Sequence, residues 1–367
     1  VEPERSGVER AGGLLIEHIY TALQAHRVDI MTATPARRLI ARESGDGQEV
    51  IGIEAEYQGK PLRIRARRGV LLASGGFERN EEMKRHFLRG PSPYTLGCET
   101  NTGDGIHMGM ALGADLRNMN EVWGMSVYKG DAELNGKYRG GASLMHPGGA
   151  PGGMLVNRHG ERFCNEGGDY DSRWRTFHTW ENWGDLGYRN LPAFHICDRR
   201  QREERTLFGR SKDEPIPDWA VEAPTLEALA RKLGIDPSGL AATVARFNTF
   251  ATHGADPDFH RGESHYDRFG QTDPRITLRP LVMEGPFFGA EVCPAELGTC
   301  GGLRVDGQAR VIDVFGRPIV GLYASGNTSG VGGPGTGYGG GGGTLGPAFT
   351  FAYIAGKQVV ATKARRA

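Results

Sequence analysis

The residues best suited to chemistry lie in a glycine-dense stretch from Gly321 to Phe351, GLYASGNTSGVGGPGTGYGGGGGTLGPAFTF. About half of it is glycine as far as Pro347. Glycine loses the most backbone freedom on folding, so such a run costs stability unless the backbone must pass close to something. A β-like run, Ile319 to Ala324, leads in, and a helix with Pro347 in its first turn leads out. Tyr338, Thr344 and Leu345 interrupt the glycines, which a flexible linker does not need. Strand, glycine turn and helix N-terminus together aim backbone N–H groups at an electron-rich ligand. The stretch therefore reads as the floor of a cofactor and substrate site. Its G-x-G-x-x-G spacings, Gly330-Gly332-Gly335 and Gly341-Gly343-Gly346, carry little weight. A dense run makes them by chance, and neither a following βαβ unit nor an acidic residue ~20 positions on is present. Thr102-Gly103-Asp104-Gly105, ahead of an apolar helix, is a second candidate cofactor turn, and an ordinary capped helix gives the same pattern.

The elements that must position these residues follow from periodicity. Leu15, Ile19 and Leu23 share one face of a helix over Gly12 to His26. Strands are predicted at Val28–Thr32, Arg37–Arg42, Glu49–Gln58 and Leu62–Arg67, the last two joined by a turn at Gly59-Lys60. Gly69 to Ser74 reads as a short, fully apolar strand of the buried parallel kind, stopped by Gly75-Gly76. Asn80 caps the next helix, with Glu81 and Glu82 favourable at its N-terminus. Met154–Asn157 and Glu161–Asn165 are predicted to form a hairpin, and Ala193–Asp198 a strand. Helices follow at Thr225–Leu233 and from Asp236-Pro237 to His253, stopping at Gly254. Short strands return at Leu303–Val305, Ala309–Asp313 and Ile319–Ala324, before a final helix over about Leu345 to Thr362.

Composition narrows the function. The 367 residues allow two domains, and lysine plus arginine equals aspartate plus glutamate at 44 each. No charge excess points to nucleic acid or an anionic membrane surface. No apolar run approaches the ~18 residues of a membrane span. The five cysteines, Cys98, Cys164, Cys197, Cys293 and Cys300, are scattered without a C-x-x-C. They read as reduced thiols of a cytoplasmic protein rather than disulfides or zinc ligands, so no metal site is expected.

Several segments together carry a family likeness: ARRGVLLASGGFERN (66–80), NTGDGIHMGMALGA (101–114), RFCNE (162–166), GTCGGLRVDGQARV (298–311), GLYASGN (321–327) and GGTLGPAFTFAYIAG (342–356). They resemble the FAD enzymes of the fumarate reductase and succinate dehydrogenase flavoprotein superfamily. RFNTFATHGADPDFHRGESHYDRFG (246–270) and PAELGTCGGLRVD (294–306) are most similar to its 3-ketosteroid Δ1-dehydrogenase (3-oxosteroid 1-dehydrogenase) branch. The resemblance implies an α/β, Rossmann-like FAD-binding domain in two parts, 1–122 and 299–367, with an α+β catalytic or cap domain, 123–298, inserted between them. It also implies a first βαβ unit bearing the pyrophosphate loop. No such unit is recognisable here, so the expectation is that a preceding segment or a second chain supplies it, and that this chain alone binds FAD weakly.

By the same resemblance, the flavin contacts fall on Ala36 (backbone, to adenine), Ser74, Gly75, Gly76, Asp104, Gly326, Asn327, Thr344 and Leu345. The Tyr338 hydroxyl and the Gly342 N–H match the pair that grips a substrate carbonyl, an oxyanion-hole arrangement favouring an enolate. Tyr170 matches the general base. A tyrosine near pKa ~10 needs a neighbouring donor or cation to act at neutral pH. The family's helper tyrosine is absent, and Arg173, Arg175 or His178 stand nearby in sequence. The implied reaction is FAD-dependent 1,2-dehydrogenation of a 3-oxosteroid or similar hydrophobic cyclic ketone, with an external electron acceptor. The alternatives are a fumarate-reductase-like enzyme acting on an unsaturated carboxylate, and a non-catalytic fragment or subunit needing a partner chain to complete its FAD site.

Overall fold

The computed structural model describes residues 11–45, 47–135, 149–184, 186–268, 277–332 and 340–365. Helix α1 (Ala11–Ala25) precedes strands β1 (Ala36–Ser44), β2 (Gly47–Tyr57), β3 (Lys60–Arg65) and β4 (Val70–Leu72). Then come α2 (Glu81–Phe87), β5 (Tyr94–Thr95), α3 (Asp104–Met110), β6 (Leu116–Arg117), β7 (Val122–Tyr128) and α4 (Lys129–Asn135). The middle of the chain forms β8 (Gly153–Asn157), α5 (Tyr170–Phe177), β9 (Trp180–Glu181), β10 (Gly187–Tyr188), β11 (Ala193–Asp198) and α6 (Arg199–Glu204). After these lie β12 (Val221–Ala223), α7 (Leu226–Leu233), α8 (Pro237–Thr252) and β13 (Phe287–Thr299). The last elements are β14 (Gly302–Leu303), β15 (Arg310–Ile312), β16 (Pro318–Ala324) and α9 (Leu345–Ala361).

Two six-stranded sheets organise the molecule. In the first, β1, β2 and β3 form an antiparallel meander. Its β2–β3 turn uses Gln58 and Gly59 at φ +51° and +74°, the left-handed pair that suits a tight hairpin. β16 joins β2 and runs parallel to β4, with Leu322, Tyr323 and Ala324 opposite Val70, Leu71 and Leu72. β15 closes the other side, antiparallel to β16. Leu39, Val50, Leu72, Phe77, Ile106, Leu322 and Ala324 form the core beneath this sheet.

The second sheet is built on β13. Its first half pairs with β11 and β12, and its second half with β7 and, in parallel, β5. β8 extends the sheet beyond β11. Side chains alternate as a pleated strand requires. Met154, Val156, Phe194 and Ile196 face the helices α7 and α8, while Leu155, Ala193 and Cys197 face the opposite core.

Three sequence expectations fail. Residues 28–32 are not a strand: Val28, Ile30 and Met31 are exposed, and the left-handed Arg27 and Ala33 bracket them, so no ladder forms. Glu161–Asn165 supplies no second hairpin limb beyond one bridge, Val156 to Arg162. β4 is not fully buried, because Leu71 is exposed on one face. All five cysteines are unbridged, four buried and Cys98 exposed. Among the described residues no metal-ligating cluster occurs, and no helix is long and apolar enough to cross a membrane.

Candidate functional site

β4 and β16 are parallel neighbours that end together, where the Ser325 N–H donates to the Leu72 carbonyl at 3.0 Å. Both continue into glycine turns. The carboxyl ends of parallel strands are where open α/β sheets bind their ligands. Ser74, Gly75 and Gly76 follow β4; Gly326 and Asn327 follow β16 in a short 3₁₀ turn, Gly326–Ser329. A small hydrogen-bond knot joins these turns to α3. The Gly105 N–H donates to Ser74 Oγ at 3.1 Å, and the Thr328 hydroxyl donates to the Gly75 carbonyl at 2.7 Å. Asp104 is the exposed first residue of α3, after Gly103 at φ +82°, and accepts from the Thr102 hydroxyl at 3.0 Å. Ala36 opens β1, against which α3 packs.

The N-terminus of α9 meets the same turns. The Ser325 hydroxyl donates to the Ala348 carbonyl at 2.6 Å, and Gly326 lies against Ala348. Thr344 occupies the cap position without a side-chain cap bond, and Leu345 is exposed. The structure thus gathers Ser74 to Gly76, Asp104, Gly326, Asn327, Thr344 and Leu345 around one end of the sheet.

The glycines here serve two ends. Gly75, at φ +78°, is required by packing, because a Cβ there would lie 2.2 Å from Asn101 Oδ1. Gly342, at φ +87°, has nothing within 4 Å of where its Cβ would be, and the neighbouring Gly340, Gly341 and Gly346 are as open. Open backbone at a helix N-terminus that no side chain caps suits an anionic, ring-bearing cofactor. These residues therefore fit FAD: the uncapped end of α9 would face its negative charge, and the Ser74–Gly76 and Gly326–Asn327 turns would line its path.

Tyr170 is the first residue of α5, whose cap Asp169 accepts from the Ser172 N–H at 2.8 Å. The tyrosine is buried in the core cluster that also holds Met125, Val127 and Phe177. Beside it runs a cleft of about 800 Å³, lined by Asp169, Ser172, Arg173 and Thr176 of the α5 region, by Tyr266, and by Gly340 of the glycine loop. Tyr170 itself is not among the lining residues, and Tyr338 lies outside the described residues.

The three cations near Tyr170 separate cleanly. Arg175 is engaged by Glu121 at 2.7 Å and Asp171 at 3.2 Å. His178 points to the Pro91 carbonyl at 2.8 Å, and burial lowers its pKa. Arg173 alone of the three lines the cleft, 1% exposed, with Nη1 donating to the Glu166 carbonyl at 3.1 Å. Beneath it lies an ion-pair cluster that sequence reasoning did not single out. Arg162 grips Glu166 at 2.7 Å and Asp256 at 2.8 Å, and Arg261 reaches Glu166 at 3.2 Å. Burial pushes the Glu166 carboxyl up, but the two guanidiniums outweigh it and hold the group below its ordinary value.

A family model described as FAD binding domain matches residues 5–345. The chain belongs to this FAD-binding family, and FAD is the cofactor that membership gives it. Among curated relatives, 4-oxocyclohexanecarboxylate 2-dehydrogenase of Sinomonas cyclohexanicum is 36% identical over 97% of this chain and 62% of its own length. The 3-oxosteroid 1-dehydrogenase of Mycobacterium tuberculosis (strain ATCC 25618 / H37Rv) is 40% identical over 85% of this chain and 56% of its own. A crystal structure of 3-ketosteroid Δ1-dehydrogenase from Sterolibacterium denitrificans, in complex with 1,4-androstadiene-3,17-dione, superposes with a TM-score of 0.82 at 30% identity. It covers 96% of this chain and 64% of that one. The chain spans less than two thirds of the length of these relatives.

Proposed function

We propose that the protein works as an FAD-dependent dehydrogenase of the CH–CH bond beside the carbonyl of a cyclic ketone, 3-oxosteroids and 4-oxocyclohexanecarboxylate being the two substrate types nearest to hand. The observation that carries this reading is the cleft between the start of α5 and the glycine loop, which Arg173 lines one helical turn beyond Tyr170. In this reading the Gly342 N–H and the Tyr338 hydroxyl donate to the substrate carbonyl and favour charge on its oxygen as the adjacent C–H weakens. Tyr170 accepts the proton from the carbon next to the carbonyl, and the positive charge of Arg173 favours the phenolate that this needs. FAD, when bound, supplies the hydride acceptor, and an external acceptor completes the cycle.

The test is dye-linked oxidation of both ketone types by the flavin-loaded protein. Tyr170→Phe removes the base and is expected to lower turnover by about 10²- to 10⁴-fold. Tyr338→Phe is expected to cost about 10²- to 10³-fold, the usual loss for one oxyanion donor, with flavin content unchanged in both. Fumarate reduction that survives both substitutions would replace this reading with a carboxylate reductase. His178 already weighs against that outcome, since it faces Pro91 rather than the cleft.

A further inference from the structure

Two glutamates behind the cofactor end of the first sheet, Glu78 and Glu296, have no exposed surface. Glu78 sits in the turn between β4 and α2. It accepts from Asn101 Nδ2 at 2.6 Å and from the N–H and hydroxyl of Thr299, both at 3.3 Å. Its carboxylate lies against Gly76: a Cβ there would come within 2.5 Å of Oε2. At Gly298 a Cβ would lie 2.9 Å from Asn327 Nδ2 and 3.5 Å from Glu78 Oε1. Glu78 therefore backs directly onto one expected flavin contact, Gly76, and lies across Gly298 from a second, Asn327.

Glu296, on β13, holds Lys84 Nζ of α2 at 2.9 Å and accepts a hydrogen bond from the Ser92 hydroxyl. Lys84 and Ser92 also line a surface cavity of about 470 Å³, together with Glu81, Arg85, Arg89 and Tyr188. The polar groups facing Glu296 are thus Lys84 of α2 and, at 3.4 Å from that lysine, Glu81; Ser92 of the following loop; Thr95 of β5, whose hydroxyl bonds the Glu296 carbonyl; and Glu78. Burial pushes the Glu296 carboxyl up to about 7, Lys84 and Ser92 resist, and the charge of Glu78 adds to the push. A buried acid that changes charge near neutral pH, with a hydroxyl leading to a surface cavity, is equipped to exchange protons.

We propose that Glu296 is a redox-linked proton site: it takes up one proton from the cavity, by way of Ser92, when the cofactor behind Glu78 acquires negative charge on two-electron reduction, and releases it on reoxidation. This rests on the FAD reading given above. Electrons and atoms balance. The substrate gives up a hydride, which leaves the bound flavin one charge more negative. A solvent proton converts the Glu296 carboxylate to the neutral acid, and the O–H formed there is separate from the one that the substrate's own proton forms on Tyr170 in that reading.

The test has two arms. In the cofactor-free chain, carboxyl-labelled glutamate observed by NMR should show one carboxyl titrating near neutral pH. It should vanish in Glu296→Gln and persist in Glu291→Gln. In the FAD-loaded protein without substrate, redox titration across pH should show about one proton fewer taken up per flavin reduced in Glu296→Gln than in the parent. If Glu296→Gln does not fold, Lys84→Met serves instead, since loss of the ammonium must raise both the carboxyl titration and the pH window of proton uptake. An unchanged proton count, no neutral-range carboxyl, or no shift in Lys84→Met overturns the inference and leaves the FAD reading intact. A protein that takes up no FAD overturns both.

Discussion

The two sheets handle charge in opposite ways. On the first, Arg38 and Arg63 hold Glu54 at 2.8 and 2.9 Å, and Arg42 holds Glu49 at 2.7 Å, each from an arginine more than half exposed. Such pairs sit in water, are screened by salt and contribute little; they dress the outside of a hairpin whose register β2 already sets. Beside the second sheet, in the segments after β8 and α8, Arg162, Glu166, Asp256 and Arg261 are sealed from solvent, with side chains at most 4% exposed. There each charge depends on its partners, because an uncompensated buried ion is costly. The cluster ties the segment after β8 to the loop after α8, two walls of the cleft. The walls of the cleft are therefore tied by buried charge, whereas the turns that end β4 and β16 are joined by backbone pairing and small hydroxyl bonds.

The largest expected effect is Glu166→Gln. It strands Arg261 and half of the Arg162 network, and should destabilise the fold by roughly 3–5 kcal/mol in chemical denaturation. Because the folded pKa of Glu166 lies below its ordinary 4.5, its contribution is complete above that value and is lost as pH falls through the folded one. The gap between parent and variant should therefore close in acid; a gap constant down to the acid limit would show that the loss is packing and not charge.

Gly124→Ala comes next. Its new Cβ would lie 2.2 Å from Cγ of the buried Trp174, so α5 must move off β7, at about 1–3 kcal/mol for overpacking. Tyr170 rides on the same helix, so binding of a cyclic ketone should weaken along with thermal stability. The smallest effect is Glu54→Gln, on the exposed side of the comparison, where the denaturation midpoint is expected to stay where it is. A clear drop there would erase the distinction between the sheets.

What was legible in the sequence followed from local signals. Asn80 does cap α2, its side chain accepting from the Met83 N–H, and Asp236-Pro237 opens α8 with Asp236 accepting from the Ser238 N–H. β1, β2, β3, β11 and β16 lie within a few residues of where periodicity put them. In the second sheet β8 and β11 were legible too, but β7 and β13 were not. β13 carries Gly289, Pro294 and Gly298, residues that ordinarily break a strand, and tertiary pairing with β7 and β11 overrides them. β7, VWGMSVY, is buried at every position and shows no alternation. At the site, the glycine turns announced themselves. Glu78 and Glu296 did not, since nothing in ASGGFERN or PAELGT says that two carboxylates separated by over 200 residues will both be buried near each other, one on Asn101 and Thr299 and the other on Lys84.

The exposed thiol has a practical use. Cys98 is the one exposed cysteine, and the Thr100 hydroxyl and N–H lower its pKa. It sits three residues before Asn101, whose amide holds Glu78. A maleimide dye should therefore attach at a single position without touching the four buried thiols. Its fluorescence would report, in real time and on an unmutated protein, whether the floor beneath Gly75 shifts when a ligand arrives.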